Sequence, residues 1–95
     1  MKYPVVYILA SHRNGTLYKG VTGNLIRRVW EHKENLLDGF TKKYHVHRLV
    51  YFESHGDFQS AFAREREIKT WKRLWKTKLI KQVNPTWEDL YETLF

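Results

Sequence analysis

A continuous apolar run near the start of the chain, VVYILA at positions 5–10, constrains the fold more than any other segment. The run is rich in β-branched residues, which favour a strand, and it has no polar face. A strand of this kind must be covered by other elements on both sides. It is too short for a signal-peptide core or a membrane span, so we expect a soluble, cytoplasmic protein with no membrane partner.

The residues after this run predict an antiparallel hairpin. Asn14-Gly15 favours a two-residue loop because both residues tolerate positive φ, and positions 17–21 then return as a second strand. In that register Ser11 faces Tyr18. Tyr7 and Ser11 have the same parity on their strand, so Tyr7 and Tyr18 are expected on one face of the sheet. Ordinary strand tyrosines are the alternative to a shared chemical role.

Helical spacing of apolar residues predicts the elements that follow. Asn24 is expected to cap a first helix that Gly39 ends, and residues 40–46 are expected to form a loop. A third strand is expected at 48–53. A second helical stretch then begins after Asp57.

The last third of the chain is expected to be helical. The second stretch breaks near residues 70–72 into a third helix, which Asn84-Pro85 stops. A short closing helix is expected to contain Trp87, Leu90, Tyr91 and Leu94. The order ββαβαα predicts an α+β fold, a small three-stranded antiparallel sheet flanked by helices, as one domain over residues 1–95.

The charge of the chain indicates an anionic partner. Seventeen Lys and Arg residues stand against ten Asp and Glu, a formal net charge of +7, and there is no cysteine, which excludes a disulfide scaffold and thiolate metal ligands. A field of this sign attracts polyanions, of which nucleic acid is the commonest. A solvated basic surface is the alternative, and an anionic membrane surface is a weaker one. The densest basic face comprises Lys72, Arg73, Lys76, Lys78 and Lys81.

Two helix positions carry residues suited to phosphate chemistry. Arg28 and His32 are four residues apart and lie at the edge of the apolar stripe, where a cleft would form, while Arg27 lies at the other border. An arginine can hold a phosphate by two hydrogen bonds while a histidine exchanges a proton. The alternative is an arginine and a histidine that simply lie at the boundary between core and solvent.

Glu65 is the most informative single residue, because it lies within the apolar stripe of the second helical stretch, whereas Glu67 lies on the opposite face. A carboxylate that faces a core requires a compensating cation. Either a bound metal or Lys69, four residues along, can supply it. A lone carboxylate suits Mg²⁺, which keeps most of its water ligands.

Other candidate sites have weaker support. His45 and His47 can chelate a metal if the segment is extended, but no third ligand is evident. Trp71 and Trp75 can stack on bases, although packing in the core is the favoured interpretation.

Together these positions resemble the GIY-YIG nuclease superfamily, and in particular its small standalone bacterial branch. The resemblance rests on VVY at 5–7, YKG at 18–20, the spacing of Arg28 and His32 from Tyr18, and the later Glu65 and Asn84. The first triplet lacks Gly and Ile, and Lys19 occupies the centre of the second. The resemblance extends over roughly residues 3–91.

The resemblance implies a role for each residue. It implies catalytic roles for Tyr7, Tyr18, Arg28 and His32, a single Mg²⁺ or Mn²⁺ ion on Glu65, and supporting roles for Gly20 and Asn84. One of the tyrosines would act as the general base or position the attacking water. Contacts with nucleic acid are expected from Arg27, Lys19, Lys72, Arg73 and Lys76.

The function expected from the resemblance is a metal-dependent endonuclease that cuts one strand per active site, with DNA favoured over RNA. Selectivity would come from nucleic-acid structure or from a protein partner. A module on the same fold that binds DNA or RNA without cleavage is the main alternative, and a basic protein-interaction module is a weaker one.

Overall fold

A three-stranded antiparallel sheet lies at the centre of the molecule, which the computed structural model describes over residues 3–95. The first two residues of the predicted domain lie outside this range. The strands are β1 (Val5–Ala10), β2 (Leu17–Thr22) and β3 (Arg48–Ser54), in the order β2-β1-β3. The helices are α1 (Leu25–Lys33), α2 (Phe40–Tyr44), α3 (Phe58–Thr70) and α4 (Arg73–Val83), and a 3₁₀ helix follows at Leu90–Leu94. The predicted α+β class is confirmed.

The central strand β1 is buried on both faces, as its uniform apolar sequence predicts. Val6 and Ile8 pack on one face with residues of α3 and α4, which we call the α3 face. Tyr7 and Leu9 pack on the opposite face with residues of α1, which we call the α1 face. Since β2 is an edge strand, one of its margins is not hydrogen-bonded to another strand of the sheet, and the two faces meet there.

The hairpin has a different register from the predicted one. Tyr18 pairs with Leu9, not with Ser11, and the Ser11 amide donates to the Thr16 carbonyl at 3.0 Å, so the loop spans residues 12–15. The register differs from the prediction by two residues, and a two-residue shift leaves every side chain on the same face. Tyr7 and Tyr18 therefore share the α1 face, as expected.

The first helix is shorter than predicted. Asn24 caps it as expected, since its side chain accepts from the Arg27 amide, but α1 ends at Lys33 and not at Gly39. Asn35 has a φ of 56°, which a helix cannot continue through. The apolar spacing runs on to Leu36, whose side chain is exposed. The segment 40–46 is not a loop throughout, because α2 lies within it.

The end of the chain also departs from its prediction. The break between α3 and α4 at Trp71 and Lys72 and the end of α4 before Asn84 are confirmed. Trp87, however, has a φ of 58° and lies outside the closing helix. It is fully buried on the α3 face, whereas Leu90 and its neighbours pack on the α1 face. One side of a single helix cannot pack on both faces of the sheet. The closing segment is therefore not one helix: Trp87 packs on one face and the 3₁₀ helix packs on the other.

Within residues 3–95, no helix combines the length and the apolar character that a membrane crossing requires.

Candidate active site

A buried chain of hydrogen bonds joins three side chains on the α1 face. The Tyr7 hydroxyl lies 3.0 Å from His32 Nε2, and His32 Nδ1 lies 2.9 Å from the Thr41 hydroxyl. All three residues are buried. Strand β1, helix α1 and helix α2 each contribute one of them. When Tyr7 donates to Nε2, the ring must carry its proton on Nδ1 and donate it to Thr41.

Burial determines the protonation state of the side chains in this hydrogen-bonded network. Burial and, to a smaller extent, the positive charge of the nearby Arg28 guanidinium together lower the pKa of His32 to about 4, so the imidazole is neutral at pH 7. Burial also raises the pKa of the Tyr7 phenol, with a further rise from Tyr18. The phenol thus keeps its proton at neutral pH, and the network consists of neutral donors and acceptors.

Gly20 provides the space that Tyr7 occupies. The two residues pair across β1 and β2. A Cβ atom on Gly20 would lie 2.5 Å from the Tyr7 hydroxyl oxygen, well inside van der Waals contact. Gly20 therefore makes room for Tyr7 because it has no side chain, and not because of an unusual backbone conformation.

Arg28 is half-buried and lies at the edge of the hydrogen-bonded network of Tyr7, His32 and Thr41. Beside it, helix α1 borders a groove of about 300 Å³, which is lined by Thr22, Asn24, Arg27, Arg28 and Glu31. Its Nε lies 3.3 Å from one Glu31 carboxylate oxygen, and the Nε of Arg27 lies 3.6 Å from the other. Of the two arginines, Arg28 is the one whose charge acts on Tyr7 and His32. An anion in this groove would compete with Glu31 for the guanidinium groups.

Tyr18 is the phenol that opens toward solvent. It is half-buried, and its ring lies 5.4 Å from His32 and 6.2 Å from Phe40 between centroids. A groove of about 250 Å³ runs along this edge, lined by Leu17, Tyr18, Lys19, Phe40 and Lys69. Because Tyr18 and Lys19 point to opposite faces of β2, this edge groove connects the α1 face to the α3 face.

Glu65 faces inward from α3, in keeping with its place in the apolar stripe. Its side chain is 14% exposed, whereas that of Glu67 is 55% exposed. One carboxylate oxygen of Glu65 lies 3.5 Å from Lys69 Nζ, and the other is buried and has no hydrogen-bond partner among the described residues. Helix α3 packs on the α3 face, so Glu65 approaches the tyrosines only around the β2 edge.

Lysines surround this carboxylate. Burial lowers the pKa of Lys19, the ammonium groups of Lys76 and Lys69 lower it further, and Glu65 opposes the shift. Lys76 Nζ donates to the Lys69 carbonyl at 3.5 Å. Lys19, Lys69 and Lys76 therefore lie close together beside Glu65, and their positive charge attracts the phosphates of a polyanion.

Asn84, to which the resemblance gives a supporting role, and Arg73, expected from the basic face to contact nucleic acid, both make hydrogen bonds to the backbone. The Asn84 amide donates to the carbonyls of Val50 at 3.1 Å and Glu88 at 2.8 Å, and its oxygen accepts from the Glu88 amide. Arg73 Nη2 donates to the carbonyls of Asn14 and Gly15 at 2.8 and 2.7 Å, so Arg73 holds the hairpin loop and is not a free cation. Lys72 is exposed at the start of α4.

Thr41 and Phe40 are site residues that the sequence interpretation missed. Both lie in α2, a five-residue helix without a side-chain N-cap hydrogen bond, inside the segment expected to be a loop. So short a helix carries no measurable apolar period. The positive charge and the polar character of this segment also do not indicate a helix or a site.

Comparison with known proteins places this site in a family. The family model of the GIY-YIG catalytic domain matches residues 3–79. The chain belongs to the GIY-YIG family. The site residues from Tyr7 to Lys76 lie inside the matched segment, and Asn84 lies outside it.

Three bacterial proteins are similar to this chain over most of its length. A UPF0213 protein of Pediococcus pentosaceus is 37% identical over 76 residues, which is 80% of this chain and 79% of the relative. A UPF0213 protein of Staphylococcus aureus strain N315 is 36% identical over 77 residues, 81% of this chain and 93% of the relative. The solution NMR structure of a UPF0213 protein from Bacillus halodurans has a TM-score of 0.56 and 27% identity, and covers 90% of each chain.

Proposed function

We propose that this GIY-YIG protein is a metal-dependent endonuclease that hydrolyses phosphodiester bonds, with DNA favoured over RNA and one strand cut per active site. Selectivity for nucleic-acid structure, or direction by a protein partner, completes the proposal. The observation that supports it best is the inward Glu65 carboxylate, whose second oxygen is buried without a partner beside the lysine cluster. An orphaned buried oxygen of this kind is costly unless a ligand uses it.

The site suits one hard cation. Glu65 would hold it, and Mg²⁺ or Mn²⁺ is the fitting class because such ions accept a single carboxylate together with waters and phosphate oxygens. Among residues 3–95 there is no cluster of three or more His, Cys, Asp or Glu side chains, so the protein offers no closed cage. When bound, the ion supplies Lewis-acid stabilisation of the charge on the phosphate.

The remaining residues divide into contact and positioning roles. Tyr18 lies in the edge groove and is the phenol placed to orient the attacking water. Tyr7 is buried and stays protonated, so we assign it, with His32 and Thr41, the role of holding the Tyr18 side of the site in place. Arg28 neutralises the phosphate as its charge develops. Lys19, Lys69 and Lys76 are assigned to neighbouring phosphates.

Nicking of supercoiled and branched DNA tests the proposal. We expect cleavage with Mg²⁺ or Mn²⁺ that EDTA abolishes. Glu65→Gln and Tyr18→Phe should lower the rate by about 10² or more, the scale of losing one transition-state contact. Glu67→Gln is the matched control on the same helix and should cleave like the wild type. Equal cleavage by Glu65→Gln would contradict the proposal.

A second candidate function, nucleic-acid binding without cleavage, is favoured by the ion pair between Lys69 and Glu65. In that case Lys69 is the permanent partner of the carboxylate, and the lysine cluster binds phosphates by release of counterions. Binding that weakens steeply with salt, with no cleavage in any metal, would support this function over the first.

A further inference from the structure

Helix α4 presents an aromatic groove that the proposed reaction does not use. Trp75 is 57% exposed, which shows that the expectation of core packing is wrong for this residue. Trp71 is partly buried and packs on the core of the α3 face, as expected. The groove measures about 430 Å³ and is lined by Trp71, Trp75, Lys78, Leu79 and Gln82.

The Trp75 side chain packs against Trp71. Its ring meets that of Trp71 edge-on, with 6.1 Å between centroids. The guanidinium of Arg64 lies 5.1 Å from the Trp71 ring, which fixes Trp71 in turn. An aromatic surface that is rigid before binding loses little entropy when a flat ligand stacks on it.

Charge selects the class of ligand for this groove. From Ile68 to Trp87 the chain contains no Asp or Glu, while Lys69, Lys72, Arg73, Lys76, Lys78 and Lys81 all lie in this stretch. An occupant that complements both features must combine an apolar flat face with negative charge. An unpaired nucleotide does so, because its base is exposed on both faces and its phosphate is anionic. In a duplex, the neighbouring base pairs cover those faces.

A row of lysine side chains lies between this groove and the candidate active site. Lys76 follows Trp75 on α4 and contacts the Lys69 carbonyl. Lys76 and Lys69 lie close enough to Lys19 to lower its pKa. Lys19 and Lys69 line the edge groove together with Tyr18. A row of cations therefore leads from the tryptophans to the phenol at which we place the attacking water.

We propose that the α4 groove binds an unpaired segment of nucleic acid, with a base stacked on Trp75 and its phosphates on Lys76 and Lys78. This inference deepens the proposed function and rests on it, since it names the substrate class as a nucleic acid with a single-stranded part next to the cut. The chemistry is common to DNA and RNA.

Binding in EDTA tests the groove separately from cleavage. The probes are fluorescein-labelled oligothymidylate, oligouridylate, an abasic strand of equal length, and a blunt duplex, measured by fluorescence anisotropy. We expect the wild type to bind both single strands more tightly than the abasic strand. Trp75→Ala should weaken binding to the single strands about tenfold, the scale of losing one stacked base, and Trp75→Phe should recover part of the loss.

Trp30→Ala is the control, because Trp30 is also exposed, at 46%, but lies on α1 away from the groove. Circular dichroism and thermal unfolding establish that each variant is folded. Unchanged affinity of Trp75→Ala, or equal binding of the abasic strand, would overturn the proposal and leave the groove to a protein partner. If the protein binds single strands through Trp75 but does not nick DNA, only the nuclease proposal is contradicted. If it nicks DNA but Trp75→Ala binds single strands like the wild type, only the proposal for the α4 groove is contradicted.

Discussion

At Gly20, the addition of a single methyl group should be enough to disturb the site. A methyl group there would lie 2.5 Å from the Tyr7 hydroxyl oxygen, and the Tyr7 side chain is buried. We expect Gly20→Ala to lower the free energy of unfolding by about 1–3 kcal/mol, the usual cost of overpacking, as measured by urea denaturation. The substitution should also break the hydrogen bond between the Tyr7 hydroxyl and His32.

Gly56→Ala is the matched control for this prediction, because no atom lies within 4 Å of a Cβ at that position. It should change stability by a few tenths of a kcal/mol at most. Equal stability of the two variants would contradict the steric role of Gly20.

His32 makes stability depend on pH. Its pKa falls from 6.5 in the unfolded chain to about 4 in the folded protein, so below pH 6.5 the unfolded state binds more protons. Stability should therefore fall as the pH falls from 6.5 toward 4. Between pH 7 and pH 5 we expect a loss of roughly 2 kcal/mol from this residue, measured by urea denaturation at each pH.

His32→Gln should flatten this part of the stability profile, whereas His12→Asn, in the exposed hairpin loop, should leave it unchanged. A His32→Gln profile that is as steep as that of the wild type would contradict the neutral, buried state of the imidazole.

The short helix α2 acts on the site through Thr41. Replacing its hydroxyl by a methyl group of similar size leaves His32 Nδ1 buried without a partner, which costs about 1–3 kcal/mol. We therefore expect Thr41→Val to be destabilised by that amount and to change the ¹⁵N shifts that report the tautomer of His32. Thr86→Val, at an exposed position after α4, is the control. Unchanged imidazole shifts in Thr41→Val would show that α2 does not orient His32.

The elements of this fold differ in how far local sequence determines them. The uniform run of β1 and the cap at Asn24 predict their elements correctly because the sequence signal for each lies in a few adjacent residues. The end of α1 does not, since Asn35 adopts a positive φ in spite of apolar residues that continue the helical spacing. The hairpin loop also differs from its prediction. The carbonyls of Asn14 and Gly15 in this loop accept hydrogen bonds from Arg73, 59 residues after Asn14, and the local sequence does not indicate this contact.

The position of the site in the molecule depends on where the two faces of the sheet meet. Helical spacing alone distinguishes Arg28 from Arg27 and Glu65 from Glu67, because the side of a helix is a local property. The sequence does not show that Tyr7 and Glu65 lie on opposite faces and approach each other only around the β2 edge. The exposure of Trp75 was missed for the same reason, since it depends on which helix covers which part of the sheet.

Manganese binding tests whether Glu65 holds a metal ion, independently of catalysis. With DNA present at a low temperature that suppresses cleavage, titration of Mn²⁺ followed by the loss of its free-ion EPR signal should show one ion bound per wild-type chain. Glu67→Gln should bind one ion with the same affinity, and Glu65→Gln should bind at least tenfold more weakly. Equal binding by wild type and Glu65→Gln would show that the inward carboxylate serves Lys69 alone, and would contradict the account.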